Sequence, residues 1–568
     1  MLLQSGDIVK IIMDVLTMAT ATVSEYQSIP LSESKAREWV AALPLADPGE
    51  TTRRLFHGLV DLNRRAVPPQ TRLAIGESLR PVVDMVLENL QRHLVARAFP
   101  LTQKSQKIFE LAQSLMLEFA GLWQVTALDI LTRKEGNKKQ LQQAIYQALD
   151  YMGRVLLLTY SVYARTRETL WHDIHHLYLL AVENAVDQIK GRDPSPGAPT
   201  IEARYVQMNL LALVKPYSLR QGEVERVMHY FITHTAAVRI SGEAGDDVGA
   251  NAHVAMLNSD EPAVLMPVSD LPLSPTVRVL HLNALLATMD ASIRQLDKVG
   301  ASVLVLHEGL SRNLAKRMIF HLTTVRNRSF NRFPKKEKIG MVTRMSDVLA
   351  VVQEVSKQEV DSEEEDMLFN VFVSGDYATE EDVKYSVAAQ ADEQAGARIQ
   401  TWQVLNSSVG GYGLCWDGKE ESGARVGEIV ALRDLTKDMS VWMIGVIKWM
   451  EFVRGTGLCC GVELLSTKAM VLTVHQVLNR GLRQKLPVQG LMLPSIAGVR
   501  PDPALVLPAY MFQVGDEVRL EFAEREERVR LVLLDECMGV FAYFRFTTLA
   551  EKPAVDAEDD FTALWQSL

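Results

Sequence analysis

The spacing of apolar residues changes near residue 325, and this change constrains the fold more than any other feature of the 568-residue chain. Before it, apolar residues recur every three or four positions, as in Leu79–Leu94 and Ile108–Phe119, which is typical of amphipathic helices. From about residue 338 they alternate, as in Val426–Leu432 and Gly515–Phe522, which is typical of strands. The predicted fold class is a multidomain α + β chain, with an N-terminal all-α helical array followed by a small antiparallel β-barrel and a second small β module.

Turn residues and charge divide the chain further. Asp47-Pro48-Gly49-Glu50 predicts a helix start, because Asp caps free N–H groups, Pro fits the first turn and Glu reaches back. No fixed repeat period is found, so we expect an irregular array of helical hairpins. The later helices are predicted at 137–164, 167–188, 200–215, 220–238, 278–297 and 306–325. The predicted parts are an N-terminal tail or helix (1–30), the helical array (31–325) with a hairpin insertion (239–275), a segment with two arginines and a first strand (326–354), an acidic flexible insertion (355–397), a β-barrel (398–480), a C-terminal β module (500–550) and a tail (551–568).

Composition argues against several classes of partner. The chain has 60 Lys+Arg against 70 Asp+Glu, a formal net charge of −10, and surfaces that follow phosphates need clustered basic residues, so no DNA or RNA partner is expected. No stretch reaches the ~18–20 uncharged apolar residues of a membrane span. The four cysteines form no C-x-x-C pair and no disulfide framework. With an N-terminus that lacks a basic n-region, these features predict a cytoplasmic protein.

The sequence contains two short polar motifs. The first lies at the junction of the helical and strand regions, and the second lies within the strand region. Arg328 and Arg332 form an R-x-x-x-R pattern, and Asn406, Ser408 and Gly411 form N-x-S-x-x-G. Arginine pairs its fork with phosphate or with the O6/N7 edge of guanine and stacks its plane on bases. Asn and Ser two positions apart on a strand face the same side, and Gly leaves room where the backbone turns or approaches a ligand.

Together the motifs resemble the PilZ domain, a small β-barrel that binds the bacterial second messenger cyclic di-GMP. The resemblance extends over about 398–466, because the segments that follow have the family's order: Gly427–Leu432, then Val446–Trp449 with its Ile-x-Trp element, then Gly461–Leu464. With Arg328 included, it covers about a quarter of the chain. The resemblance implies that the residues of both motifs bind cyclic di-GMP. They are Arg328, Arg332, Asn406, Ser408 and Gly411.

Alternatives remain open for both motifs. Arg332 and Asn406 are 74 positions apart, farther than in the family, so the acidic segment is interpreted as an insertion. Lys338–Val352 is expected to supply the first barrel strand before it. Otherwise the two arginines only cap the last helix, and N-x-S-x-x-G is a β-turn. Arg326 and Arg398 are the substitute arginines if the register differs.

The remaining clusters of polar residues predict no catalysis and no metal. His172 and His176 share a helix face, but a third ligand is missing, so we expect interhelical histidines. Cys459 and Cys460 are expected to be buried thiols. P-loop, G-x-S-x-G, GGDEF and EAL patterns are absent from the sequence, so neither an enzyme nor a cofactor is predicted.

The resulting hypothesis is a bacterial receptor without a cofactor. Cyclic di-GMP orders the arginine segment against the barrel and changes the contact of the helical region with an unidentified protein partner. The outputs implied by the family are motility, pili, surface attachment or polysaccharide control. The alternative is a helical scaffold whose PilZ-like barrel binds no nucleotide.

Overall fold

The computed structural model describes most of the chain. The described residues are 28–95, 98–191, 200–245, 248–272, 274–298, 306–307, 309–325, 333–334, 337–361, 398–418, 420–435, 441–477, 487–495, 502–509, 511–522, 526–537 and 541–549. The two predicted tails and the acidic insertion therefore lie wholly or largely outside them. The chain forms two compact units, the first made of Met1–Ile293, Glu308–Leu310 and Lys316–Arg326, and the second of the rest.

Helices dominate the first half of the chain, as the fold class predicts. Their bounds are α1 Glu33–Ala41, α2 Pro48–Arg64, α3 Pro69–Arg92, α4 Gln103–Arg133, α5 Lys138–Ser161, α6 Leu170–Glu183, α7 Ile201–Leu213, α8 Glu223–His234, α9 Asn283–Lys298 and α10 Arg312–Thr323.

The predicted start of α2 is confirmed at its first two positions. Asp47 Oδ1 accepts a hydrogen bond from the Glu50 backbone N–H at 3.0 Å, and Pro48 is the first helical residue. The Glu50 carboxylate, however, pairs with Arg53 and Arg54 along the helix.

The core of the first unit is built around α4 and α5. Trp123 of α4 is fully buried and lies against α3 at Gly76, where a Cβ would come within 2.7 Å of the indole. Among the described residues, α4 is the helix that is long and apolar enough to cross a membrane by length and composition, and half of its most apolar window is buried in the protein. A core helix has the same properties, and the lack of a membrane span stays a prediction.

A four-stranded antiparallel sheet interrupts the helices, in the order β1-β4-β2-β3. The strands are β1 Arg239–Ser241, β2 Asn251–Met256, β3 Val264–Pro267 and β4 Val277–His281. The hairpin expected in 239–275 is present as β2 and β3. The helix predicted at 278–297 begins only at Asn283, because Val277 and Val279 alternate as buried residues in β4. The helix predicted at 306–325 is likewise shorter, since Leu306–His307 (β5) and Leu310–Ser311 (β6) precede α10.

The second unit contains two closed antiparallel barrels of six strands each. In the first, the strands close in the order β8-β9-β10-β13-β12-β11, and a short strand, β7, pairs with β9 outside the ring. The bounds are β7 Phe333–Pro334, β8 Lys338–Thr343, β9 Gln400–Ser408, β10 Gly411–Trp416, β11 Ile429–Asp434, β12 Met443–Val453 and β13 Gly457–Ser466. This arrangement confirms the predicted fold class.

The second barrel closes in the order β14-β15-β16-β19-β18-β17. Its strands are β14 Met470–Gln476, β15 Val488–Leu493, β16 Ala504–Pro508, β17 Glu517–Glu521, β18 Glu526–Cys537 and β19 Phe541–Thr548. It therefore starts about thirty residues before the predicted bound of 500. The long apolar strand β14 had been included in the range of the first barrel.

Helix α11, Met345–Asp361, was not predicted. The first strand was expected over Lys338–Val352, but β8 ends at Thr343 and the chain turns at Arg344, which has a φ of 71°. The apolar side chains of α11 share one buried cluster with residues of both barrels. These α11 residues are Val348, Leu349, Val351 and Val352.

Candidate nucleotide-binding face of the first barrel

A β-bulge decides where the N-x-S residues of β9 point. Trp402 and Val404 alternate into the barrel core, and continued alternation would send Asn406 inward as well. However, Val404 pairs with Leu414 whereas Asn406 pairs with Gly413, so β9 carries one extra residue between these pairs. Such a bulge changes the face on which the following side chains lie.

The Asn406 side chain accordingly lies over the backbone of β10. A Cβ built on Gly413 would come within 2.8 Å of Asn406 Oδ1 and 2.9 Å of its Nδ2, so the amide covers this glycine. The next residue of β10, Leu414, is fully buried in the core. Because neighbouring residues on a strand face opposite sides, Gly413 and the Asn406 amide are on the outer face of the barrel.

The same face continues over two more strands. Gly413 pairs with Gly461 of β13, which pairs with Trp449 of β12. The Trp449 indole covers Gly461, where a Cβ would come within 1.9 Å of its Nε1. The four residues form one row across four strands, which we call the glycine row: Asn406, Gly413, Gly461 and Trp449. It has an amide at one end and an indole at the other, and each of them covers the backbone of one of the two glycines.

One polar atom in this row is unused. Asn406 Oδ1 is buried and has no hydrogen-bond partner in the described part of the protein. A buried amide oxygen without a partner is costly, by about 1–3 kcal/mol. A ligand N–H, such as those on the edge of a guanine, would satisfy it.

Ser408 lies one step along β9 on the same face. It pairs with Gly411, and within the described part of the chain its hydroxyl makes one long hydrogen bond, of 3.4 Å, to the Gly411 carbonyl. Gly411 has a φ of 154°, and a Cβ there would lie 2.0 Å from the Val462 carbonyl oxygen. The neighbouring strand therefore leaves no space for a side chain at position 411. The structure thus gives Gly411 a structural role in addition to the predicted role in ligand binding.

Arg328 and Arg332 lie outside the described residues, as does Arg326. The described chain resumes at Phe333, which pairs with Ser407, and Pro334 pairs with Asn406. The pairing of β7 with β9 thus spans the 74 positions between the motifs. The other substitute is not brought to this face, since Arg398 precedes β9 at the opposite end and pairs with Glu420.

Apolar and charged side chains surround the N-x-S residues. Phe333 and Val409 are 65% and 73% exposed. Glu463 pairs with Gly411 across the strands, and its carboxylate lies 3.4 Å from Lys448 Nζ. The lysine offsets the negative charge that would otherwise oppose an anionic ligand.

The sequence had pointed to Trp449 as part of the family pattern without assigning it to the site. Gly413 was not predicted as part of the site either. Their signal was the order of glycine and tryptophan along three strands, but the register that aligns them depends on two bulges, in the β9–β10 and β12–β13 pairs.

Among the histidines of α6, His175 contacts a neighbouring helix. His175 shares hydrogen bonds with the Tyr205 hydroxyl at 2.7 Å and the Glu261 carbonyl at 2.8 Å. The rings of His172 and His176 are 6.0 Å apart. No group of three potential metal ligands occurs among the described residues.

A cavity of about 400 Å³ lies in the first unit between α2, α3 and α4. Phe56, Val86 and Leu90 are among its lining residues, together with His57 and His93. None of the predicted ligand residues lines it.

Comparison with known proteins assigns the chain to one receptor family along most of its length. Three family models match successive segments: the N-terminal domain of the cyclic-di-GMP receptor FimW over 34–245, its middle PilZ domain over 346–470, and its C-terminal β-barrel domain over 473–549. The chain belongs to the FimW family. The predicted PilZ resemblance is confirmed.

A relative in the FimW family gives the same result over nearly the whole chain. The cyclic-di-GMP receptor FimW of Pseudomonas aeruginosa is 24% identical over 608 residues, which cover 97% of this chain and 98% of the relative. No solved structure matches the chain. The FimW family is one of receptors and not a known enzyme family.

Proposed function

We propose that this FimW-family chain is a cytoplasmic receptor that binds cyclic di-GMP on the outer face of its first barrel and transmits binding to a protein partner of the helical region. The observation that carries the proposal is the pairing of Phe333 with Ser407. Because the pair is antiparallel, the chain enters β7 from the side of Ser408. The R-x-x-x-R segment thus leads directly into the strand that carries the N-x-S residues.

Each group has a role that follows from its chemistry. Arg328 and Arg332 bind the phosphates or the O6/N7 edge of a guanine. The free Oδ1 of Asn406 accepts a hydrogen bond from a guanine N–H. Ser408, with only a long bond to Gly411, can exchange that bond for a shorter one to the ligand. Gly413 and Gly461 leave the space that the Asn406 amide and the Trp449 indole occupy on this face.

Binding would be transmitted because the ligand bridges two parts of the chain. It contacts the barrel through Asn406 and Ser408 and the preceding segment through the arginines. A ligand that binds the ordered segment better than the free one shifts the population towards order. The partner of the helical region then meets a different surface.

Isothermal titration calorimetry of cyclic di-GMP into the full chain tests the proposal. We expect the Arg328→Ala/Arg332→Ala variant to bind at least about 100-fold more weakly than the wild type, since each lost charge-assisted hydrogen bond contributes about 1.5–3 kcal/mol. Asn406→Ala should weaken binding by about tenfold, because one neutral hydrogen bond is lost.

Arg398→Ala is the matched control. It removes an exposed arginine of the same barrel that pairs with Glu420, and it should bind like the wild type. Loss of binding in this variant as well would mean that overall charge decides affinity. If the wild type gives no heat at a ligand concentration of ~100 µM, the binding free energy is less favourable than about −5.5 kcal/mol. The receptor function is then wrong, and the alternative of a helical scaffold that binds no nucleotide is favoured.

A further inference from the structure

Two cysteines lie directly opposite each other on the barrel. Cys415 of β10 pairs with Cys459 of β13, and their Sγ atoms are 2.7 Å apart. This distance is shorter than the van der Waals separation of two sulfur atoms. A covalent bond between them would therefore require only a small movement, because an S–S bond is about 2.0 Å long and the Cβ separation of directly opposite residues, about 4.5–5.5 Å, begins at the upper limit of what a disulfide allows.

The other cysteines cannot take part without rearrangement. Cys460 follows Cys459 and faces the opposite side, where it is fully buried and pairs with Leu414 in the core. Cys537 is in β18 of the second barrel and pairs with Ala542. The register therefore leaves Cys415 and Cys459 to each other.

The two thiols differ in acidity. The hydrogen bond with Cys459 lowers the pKa of Cys415, whereas the same bond, together with burial, raises the pKa of Cys459. Since the thiolate is the nucleophile, Cys415 is the sulfur that reacts first with an oxidant.

The pair is next to the proposed ligand face. Cys415 is two residues from Gly413 on β10, and Cys459 is two residues from Gly461 on β13. Residues two apart on a strand are on the same face. A bond between the cysteines would therefore join the two strands that carry the glycine row, on the side of that row.

We propose that Cys415 and Cys459 are an oxidation site that forms a reversible intramolecular disulfide with hydrogen peroxide as oxidant. The Cys415 thiolate attacks a peroxide oxygen, the O–O bond breaks, and sulfenic acid forms while the other oxygen leaves as water after protonation. Cys459 then attacks the sulfenic sulfur, the S–O bond breaks, a second water leaves and the Sγ–Sγ bond forms. Two thiols are oxidised and one peroxide is reduced to two waters.

Access sets the rate of this reaction. The cysteines are 3% and 4% exposed, so the reaction requires a local opening that admits the oxidant, and the β12–β13 turn lies beside the pair. That turn is exposed from Arg454 to Thr456, and the Thr456 carbonyl lies 3.4 Å from Cys415 Sγ. In a reducing compartment the disulfide would be transient and regulatory.

Thiol mapping of the full chain tests the proposal. Reduced protein is incubated with hydrogen peroxide over a time course, denatured, alkylated and digested for mass spectrometry. We expect two of the four cysteines to escape alkylation and one linked peptide pair to join Cys415 to Cys459, reversed by dithiothreitol. Four alkylated cysteines after prolonged oxidation, a link to Cys460 or Cys537, or sulfinic acid at Cys415 without a link would each overturn the proposal.

Variants give the matched control. Cys415→Ser and Cys459→Ser should each abolish the link, whereas Cys537→Ser should keep it. The wild-type map decides the proposal even if a variant fails to fold.

A second measurement asks whether the link acts on the proposed ligand face, and it rests on the proposed function. We expect the oxidised protein to bind cyclic di-GMP about threefold more tightly than the reduced protein, because a fixed strand pair loses less freedom on binding. An unchanged affinity would overturn this coupling. Absence of binding in both forms would argue against the proposed function, while the thiol map still decides the disulfide.

Discussion

At the scale of single residues, the absence of a side chain at two glycines of the glycine row leaves the space in which two larger side chains pack. Trp449 lies where a side chain at position 461 would be, and the Asn406 amide lies where one at position 413 would be. The N-x-S-x-x-G pattern could be found in the sequence because three residue types recur at fixed spacing. The face on which Asn406 lies could not, because the extra residue of the bulge, Leu405, has no distinguishing property in the sequence.

Gly461→Ala tests this packing. The added methyl would meet Trp449 Nε1 at 1.9 Å, so the indole must move. We expect a loss of about 1–3 kcal/mol in the free energy of unfolding, as for other overpacked sites, together with a shift in tryptophan emission. Urea unfolding followed by fluorescence measures both. Gly242→Ala, with no atom within 4 Å of its added Cβ, should leave both unchanged; a stable Gly461→Ala variant with unaltered emission would contradict the packing described here.

At the scale of elements, α11 connects the two barrels. The sequence over Lys338–Val352 was interpreted as the first barrel strand before the acidic insertion, and its Val342, Val348, Val351 and Val352 are β-branched residues that favour strands. The three- and four-residue spacing of the last three indicates a helix instead. A short apolar run does not distinguish these possibilities without knowledge of what covers it. Here the cover is supplied by two barrels at once, which local sequence does not reveal.

Val348→Ala should therefore destabilise both barrels. Val348 is fully buried in a cluster that includes Ile444 of the first barrel and Leu493 of the second. Loss of two methyl groups should cost about 1–3 kcal/mol. Hydrogen exchange followed by mass spectrometry should show faster exchange in strands of both barrels. The exposed Glu354→Ala on the same helix is the control, and faster exchange in only one barrel would mean that α11 stabilises that barrel alone.

At the scale of the whole molecule, the fold class could be predicted because the spacing of apolar residues differs between the two halves of the chain and is maintained over hundreds of residues in each. The limits of the second barrel could not be predicted in this way. Strand β14 belongs to that barrel because it pairs with β15 and with β17, which is more distant in sequence. Long-range pairing of this kind depends on tertiary contacts that no local pattern records. The same holds for β4, whose alternating valines were interpreted as the start of α9.

The stability of the first unit should depend on pH through buried histidines. Burial lowers the pKa of His175, His176 and His253 below the ordinary value of 6.5. The unfolded chain therefore takes up protons at a higher pH than the folded chain, so these groups stabilise the fold above about pH 6.5 and lose that contribution as the pH falls. Asp173 acts in the opposite direction, because burial raises its pKa to about 6 and its protonation below that pH favours the folded state.

Calorimetry between pH 7.5 and 5.5 checks the balance. Burial also raises the pKa of Glu118 and Glu202, but from an ordinary value of only 4.5, so the three histidines should dominate over this interval and we expect Tm to fall by a few degrees. His253 donates from Nε2 to the Leu322 carbonyl at 2.6 Å when neutral, and His253→Asn keeps an amide donor but does not titrate. The Tm of this variant should therefore decrease less between pH 7.5 and 5.5 than the Tm of the wild type. The Tm of Asp173→Asn should decrease more than that of the wild type, because the stabilising protonation of Asp173 is removed. A wild-type Tm that is constant or rises on acidification would show that the carboxyls, and not the histidines, control the pH response of this unit.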